Sequence, residues 1–78
     1  MNIPLNGNPH TVADGASITM LVSEVTGRPL ADNGQATDGG KLGVAVAHNA
    51  QVVPRSQWFA TALAEGDDIE LVTAVQGG

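Results

Sequence analysis

Residues 17–29 have the sequence SITMLVSEVTGRP, which is the clearest helical pattern in the chain. Its apolar residues recur at i, i+3, i+4 and i+7, the spacing of one buried helix face; they are Ile18, Leu21, Val22 and Val25. Ser17 can cap the start of this helix, Gly27 supplies a left-handed stop and Pro29 prevents its continuation. The stretch therefore predicts one amphipathic helix of about ten residues.

Short strand patterns lie on both sides of the helix. Asn6-Gly7 favours a tight hairpin turn between the first two strands, and Pro9 would be tolerated only at a strand end. The predicted strands are 1–5, 10–12, 42–47, 51–53 and 69–75. Ser56 is expected to cap a short helical turn before the last strand. This order predicts an α+β fold with a mixed sheet of four to five strands, one parallel strand pair and one main helix packed on one face.

The 78 residues allow one domain, 1–78, and its thin core leaves little room for an enclosed cavity. An extended surface loop is predicted at 28–41, where turn-forming residues predominate. This loop lacks the glycine spacing and the Lys-Ser/Thr pair of phosphate-binding loops. We therefore expect no nucleotide site there.

The chain has eight acidic and three basic residues, which gives it a net charge of −5. Nucleic acids and anionic membranes require clustered cations, so neither is an expected partner. The chain has no cysteine, no signal-peptide pattern and no apolar stretch long enough to span a bilayer. These features predict a cytoplasmic protein.

No self-contained catalytic or metal site is evident in the sequence. His10 and His48 are far apart, and His48 is interpreted as a surface side chain at a strand end. The acidic group Asp67, Asp68 and Glu70 is interpreted as a solvated turn, because a metal site needs a fuller ligand set. Trp58 is expected to anchor the core or its edge. We predict no catalytic residue and no bound metal.

The C-terminal residues Gln76, Gly77 and Gly78 follow the last strand directly. Three extended residues reach only about 10 Å, which is short for a linker but sufficient to insert a carboxylate into another protein. Glycine has no Cβ, so this backbone can enter a narrow channel. The pattern predicts a flexible tail at 76–78 whose working group is the carboxylate of Gly78.

Four segments then support a family resemblance. They are Val44-Ala45-Val46-Ala47-His48-Asn49, Val52-Val53-Pro54-Arg55-Ser56-Gln57-Trp58, Glu65-Gly66-Asp67-Asp68-Ile69-Glu70-Leu71-Val72 and Val75-Gln76-Gly77-Gly78. In this order and spacing they resemble the ThiS family of sulfur carriers in thiamine biosynthesis, relatives of ubiquitin. The resemblance is strongest over 42–78, and the loop at 28–41 is longer and richer in glycine than is usual in that family.

The resemblance implies a ubiquitin-like β-grasp fold and a carrier that is not itself an enzyme. It implies that a ThiF-type adenylyltransferase uses ATP and Mg²⁺ to adenylate Gly78. A cysteine-derived persulfide then supplies sulfur to form a C-terminal thiocarboxylate. Thiazole synthase (ThiG) receives this sulfur for the thiazole of thiamine. The carrier binds no cofactor of its own in this scheme.

Two alternatives remain open at this level. One is the related role of a molybdopterin-synthase small subunit, and the other is a ubiquitin-like interaction module or protein tag. In every case the body must dock closely for its short tail to reach an active site. The sheet face away from the helix is the expected platform, with Val72 and Ala74 as candidate contacts.

Overall fold

The computed structural model describes residues 1–31, 33, 36–37 and 43–73. These residues form five strands, one α-helix and one 3₁₀ turn. In chain order they are β1 (Asn2–Leu5), β2 (Asn8–Thr11), α1 (Ile18–Thr26), β3 (Val44–His48), β4 (Gln51–Val52), the 3₁₀ turn (Arg55–Gln57) and β5 (Ile69–Thr73). The predicted order of strands, helix and short helical turn is therefore confirmed.

The five strands form one mixed sheet in the order β2-β1-β5-β3-β4. The last strand, β5, lies in the centre, parallel to β1 and antiparallel to β3. The predicted parallel pair is thus formed by the first and last strands. The two hairpins, β1–β2 and β3–β4, flank the central strand on either side.

The first hairpin turns at Asn6 and Gly7, as predicted. Both residues have positive φ, 52° and 81°, which a tight hairpin turn requires and which asparagine and glycine tolerate. The second strand begins earlier than expected, at Asn8, so that Pro9 lies within it. The proline is tolerated because β2 is an edge strand, where a missing N–H breaks no ladder.

The helix α1 begins and ends at the predicted residues. The Ser17 hydroxyl accepts a hydrogen bond from the Met20 amide, and Gly27 closes the C-terminus at φ 70°. Ile18, Leu21 and Val22 are buried in the core. No helix among the described residues is long and apolar enough to cross a membrane.

The prediction for Val25 is wrong, because this side chain is 44% exposed. Val25 lies on the same stripe of the helix as Leu21 and Val22. It belongs to the last helical turn, however, one turn beyond the helical residues that contribute to the core. Helical spacing gives the direction of a side chain and does not give the extent of the surface that packs against it.

Trp58 anchors the core and is only 1% exposed, which confirms its predicted role. Its indole Nε1 donates to the Val53 carbonyl at 3.0 Å, so the polar atom is satisfied. The predicted cap at Ser56 is wrong, since the 3₁₀ turn starts one residue earlier with Pro54 in the cap position. Pro54 has a fixed φ of −57° and its carbonyl accepts from the Gln57 amide.

The extended loop at 28–41 is described only in part. Leu30 forms an isolated antiparallel bridge with Ala36, and the Thr37 amide donates to the Pro29 carbonyl at 2.9 Å. Ala36 is buried and Leu30 packs against the core. The surface prediction is therefore wrong for these two residues, because the bridge folds this part of the segment onto the domain.

Asn6 links the first hairpin to the central strand. Its side-chain Oδ1 accepts from the Leu71 amide at 2.8 Å, and its Nδ2 donates to the Leu71 carbonyl at 3.2 Å. Its backbone amide also donates to the Ile69 carbonyl at 2.9 Å. The carboxamide thus continues the pairing of β1 with β5 past Leu5, where the strand β1 ends.

We predict that Asn6→Gly lowers the free energy of unfolding by about 1–3 kcal/mol, because the backbone groups of Leu71 lose their partners. Glycine keeps the positive φ of the turn, so the loss reports the side chain alone. Urea unfolding measures it. The matched control is Ala50→Gly, which also has positive φ, at 69°, and should be neutral or stabilising. Equal stability of Asn6→Gly and wild type would contradict this role.

Candidate functional site

The candidate site begins at the end of β5, the strand that leads to the predicted tail. Thr73 is the last residue of this strand that the structure describes, and it pairs with Val44 of β3. Gln76, Gly77 and Gly78 lie outside the described residues, as does Ala74. The flexible tail and its carboxylate therefore stay predictions, and the described structure defines the base from which they extend.

Arg55 supports this base from the side of β3. Its guanidinium Nη2 donates to the Val44 carbonyl at 3.0 Å, and Val44 is the strand partner of Thr73. The guanidinium also lies over the ring of Trp58, 5.3 Å from its centroid, within the range of a cation–π contact. The indole is fixed in turn by its bond to Val53. Arg55 thus connects the buried tryptophan to the end of the sheet where the tail departs.

This role of Arg55 was missed by sequence reasoning, which used the residue only as part of a family pattern. An arginine three residues before a tryptophan can stack on it, and this spacing is the only hint that the sequence offers. The contact with Val44 joins residues eleven positions apart. It depends on the register of β3, which the sequence alone does not give.

The sheet face away from the helix carries an exposed apolar patch. Val72 is 61% exposed and stands opposite Ala45 on the neighbouring strand, while Val52 is 77% exposed and stands opposite Ala47. Because the alanine side chains are small, the two valine side chains project beyond them from the sheet. The predicted outward orientation of Val72 is confirmed. Exposed apolar groups clustered on one face often mark a contact surface.

His48 and Asp67 form a hydrogen-bonded pair at the opposite end of the central strands. His48 Nε2 lies 2.8 Å from Asp67 Oδ2 and acts as the donor, because a carboxylate only accepts. The same carboxylate accepts from the Ala64 amide at 2.8 Å and from Asn49 Nδ2 at 3.3 Å. Asn49 Oδ1 also accepts from the Asp68 amide at 2.9 Å.

This network corrects two interpretations. Asp67 is only 17% exposed, so it is not the solvated turn residue that was expected, and His48 does end its strand but is 24% exposed and bonded rather than a simple surface side chain. Their contacts join the β3–β4 turn to the turn before β5, which is a structural role. Within the described part of the chain, no three side chains of the metal-binding types lie together.

The hydrogen bond from His48 holds the pKa of Asp67 below its ordinary value of 3.8. Partial burial opposes this shift, and the bonds from Ala64 and Asn49 strengthen it. The cause is direct: these donors stabilise the charged carboxylate and have no equivalent in the unfolded chain.

Comparisons with known proteins identify the family. The model of the ThiS family matches residues 3–78. This chain belongs to the ThiS family. The members of this family are small sulfur-carrier proteins. No curated protein gave a match.

Two solved structures resemble this ThiS-family chain over its full length. The crystal structure of the thiamine biosynthesis protein ThiS from Geobacter metallireducens has 29% identity and a TM-score of 0.70, with complete coverage of both chains. A solution NMR structure of a thiamine biosynthesis protein from the same organism has 30% identity and a TM-score of 0.69, covering 100% of this chain and 88% of that one. The ubiquitin-like β-grasp fold is confirmed by these likenesses and by the mixed sheet with its single helix.

Three of the four segments on which the family resemblance rests have a structural role in this ThiS-family chain. The Val-Pro-Arg-x-x-Trp segment supplies the buried indole of Trp58 and the guanidinium of Arg55. The Glu-Gly-Asp turn supplies Asp67, and the segment 44–49 supplies its partner His48. Together they fix the two ends of the strand pair β3–β5. The fourth segment, at 75–78, lies outside the described residues.

We predict that Asp67→Asn lowers the free energy of unfolding at neutral pH by about 1–3 kcal/mol, through weaker bonds from His48, Ala64 and Asn49. Because the folded-state pKa of Asp67 is depressed, its contribution is complete above the unfolded pKa, near 3.8, and is lost as the pH falls through the folded pKa. The difference between variant and wild type should therefore shrink in acid. Urea unfolding across a pH series measures this.

The matched control is Asp68→Asn, since the Asp68 side chain is exposed and only its backbone amide enters the network. Its stability should stay within about 0.5 kcal/mol of wild type. A pH-independent difference for Asp67→Asn would show that the carboxylate charge does not contribute.

Proposed function

We propose that this chain is a sulfur carrier of thiamine biosynthesis whose working group is the C-terminal carboxylate of Gly78. The observation that carries the proposal is the ThiS-family match, which spans 3–78 and includes the terminal Gly-Gly. The likeness to the ThiS protein of Geobacter metallireducens over the whole of both chains supports it. The proposed location is the cytoplasm, in keeping with a chain that has no cysteine.

The proposed chemistry solves one problem, which is that a carboxylate is a poor electrophile. A ThiF-type adenylyltransferase, using ATP and Mg²⁺, joins AMP to the Gly78 carboxylate and releases pyrophosphate. The terminal sulfur of a cysteine-derived persulfide attacks the activated carbonyl carbon and displaces AMP, which gives an acyl disulfide. A second thiol then attacks the persulfide cysteine's sulfur of that S–S bond, which releases the C-terminal thiocarboxylate and leaves a disulfide between the two thiols. Thiazole synthase (ThiG) then receives the sulfur. The partners supply all catalytic groups, so the carrier is not an enzyme by itself.

The contribution of this chain is to hold and present the tail. Five residues follow Thr73, and an extended chain of this length reaches at most about 17 Å. The end of β5 at Thr73 must therefore lie within about this distance of the partner's active site. Strand β5 is suited to this task because β3 pairs with it as far as Thr73, and Arg55 binds the carbonyl of the opposing Val44.

We propose that partners dock on the open sheet face, with Val72 as a central contact; Ala74, which lies outside the described residues, stays a candidate contact. The exposed Val72 and Val52 supply apolar area, and the exposed Glu70 adds a charge at the side of the patch. Acidic groups of a chain with net charge −5 would steer a basic partner, so association should slow as salt rises.

Two other functions are compatible with the same fold, and each would give a different experimental result. A molybdopterin-synthase small subunit would co-purify with the large subunit of that enzyme in place of thiazole synthase. A protein tag would appear in cells as isopeptide-linked adducts. Chains of such a tag on itself could use only Lys41 or the N-terminus.

We predict that the intact protein gains sulfur in exchange for one oxygen at Gly78 when incubated with a ThiF-type enzyme, ATP, Mg²⁺, a persulfide donor and a thiol reductant. Intact-mass spectrometry with fragmentation of the C-terminus measures this. Removal of Gly78 should abolish loading and leave the unfolding midpoint unchanged. Gln51→Ala, an exposed substitution in β4, is the control and should load normally. Failure of the wild-type chain to load would refute the proposed function.

We predict that Val72→Asp raises the KM of the carrier for the activating enzyme by about tenfold, because it places a charge in an apolar contact. The kcat should change little, since the tail is intact. Steady-state kinetics with the carrier as the varied substrate measures both. Val25→Asp alters an exposed valine on the helix and is the matched control. An equal effect of both substitutions would argue against docking on the sheet face.

A further inference from the structure

A groove of about 450 Å³ lies beside α1, on the helix side of the sheet. Residues of the first two turns of the helix form one wall, including Thr19, Met20 and Glu24. Phe59, just after the buried tryptophan, and Leu30, just after the helix, complete it. None of these residues belongs to the open sheet face or to the base of the tail.

Two large apolar side chains of the groove meet solvent. Met20 is 55% exposed and Phe59 is 56% exposed, and both line the same depression. Leu30 is partly buried and packs against the core behind them. The ring of Phe59 follows the buried Trp58 directly in sequence and is nevertheless largely in water. Two large apolar side chains held at one concave site favour a binding surface over isolated exposure.

Thr19 supplies an independent observation. The residue is only 8% exposed, it lines the groove, and its hydroxyl has no hydrogen-bond partner within the described part of the chain. Buried hydroxyl groups in native proteins are almost always paired, so an unpaired one calls for an explanation. The Oγ1 atom has less than 1 Å² of accessible surface, so a rotamer change of Thr19 would be needed for the hydroxyl to donate to a carbonyl oxygen of a bound segment.

The charge beside the groove limits which kind of ligand can bind there. Among the residues that the structure describes, Glu24 is the one ionisable residue that lines the groove, and its side chain is 60% exposed while its Oε1 contacts His10 Nε2 at 3.0 Å. An anionic rim on a chain of net charge −5 disfavours a second copy of this chain, and it disfavours the carboxylate-bearing tail. It favours a cation beside an apolar side chain.

We propose that this groove binds a segment of a partner protein that carries an apolar side chain next to a lysine or arginine. The apolar side chain lies between Met20 and Phe59, the cation pairs with Glu24, and a carbonyl of the segment accepts from Thr19. The groove and the open sheet face are built by different residues on different sides of the sheet. A partner can therefore occupy the groove while the sheet face engages an enzyme, and the inference does not rest on sulfur transfer.

The test is an NMR titration of the isotope-labelled full chain with the peptide acetyl-Arg-Leu-Phe-Arg-amide. We expect saturable shifts at Thr19, Met20 and Phe59 with a dissociation constant on the order of 1 mM or tighter. The acidic peptide acetyl-Glu-Leu-Phe-Glu-amide should bind at least about fivefold more weakly. Absence of saturable shifts, or equal binding of the two peptides, would overturn the proposal. Shifts that follow protein concentration would assign the groove to self-association instead, and would also overturn it.

Substitutions of groove residues test whether the peptide binds at the groove. Met20→Ser and Phe59→Ser should each weaken the basic peptide by about tenfold, as expected for anchors of a small contact. Val25→Ser, on the same helix but outside the groove, should bind like wild type. All three variants should load sulfur normally, so a failed sulfur assay and a failed titration are distinguishable. Unchanged binding by Met20→Ser and Phe59→Ser would contradict the site.

The Thr19→Val substitution distinguishes a hydroxyl that takes part in binding from one that only stabilises the fold. Because the hydroxyl is buried and unpaired in the free chain, its removal should raise the midpoint of thermal unfolding. The same change should weaken peptide binding severalfold, since the acceptor of the segment loses its donor. A lower unfolding midpoint, or unchanged peptide affinity, would show that the hydroxyl serves the fold and has no part in binding.

Discussion

The structure depends on the pairing of the first strand with the last. The register joins Leu5 to Ile69, and the carboxamide of Asn6 extends the contact to both backbone groups of Leu71. This short parallel contact places β5 in the middle of the sheet and unites the two hairpins. Residues more than sixty positions apart are required to meet before the sheet is complete. Such non-local pairing is slow to form and cannot be replaced by local structure.

Strand β5, the last in the chain, is paired unequally on its two sides. Its pairing with β1 joins Leu5 to Ile69 and is extended by Asn6 to Leu71, so that β3 is the strand that pairs with β5 at Thr73. Here β3 pairs with β5 over five positions, as far as Thr73, and the Val44 end of that ladder is held by Arg55. Arg55 rests in turn on Trp58, the largest fully buried side chain of the core. The core and the Val44–Thr73 end of the strand pair are thus linked through one guanidinium.

A small carrier divides its tasks among different surfaces. The core is built from one face of the sheet, the helix and Trp58, which leaves the other sheet face open. The polar network around Asp67 lies at the far end of the strand pair and fastens two turns. The described residues bring no catalytic constellation together. This arrangement suits a protein whose chemistry takes place on its tail within partner enzymes.

The sequence by itself determined the elements and the family. The helix boundaries at Ser17 and Gly27 follow from local hydrogen bonding and a left-handed stop, and Asn6-Gly7 fixes a turn through its own backbone preferences. The alternation of Ile69 and Leu71 with Glu70 and Val72 gave the inner and outer faces of the last strand. Each of these is a property of neighbouring residues, so a linear pattern contains it.

Only the tertiary structure decided the long-range contacts. The bonds of Asn6 to Leu71, of Arg55 to Val44 and of His48 to Asp67 depend on strand register, which no local pattern encodes. The exposure of Val25 and the burial of Ala36 depend on how far the packed surfaces extend. Likewise, the groove brings together Met20 and Phe59, which are far apart in sequence. Local chemistry set what each segment becomes, and packing set which surfaces remain free.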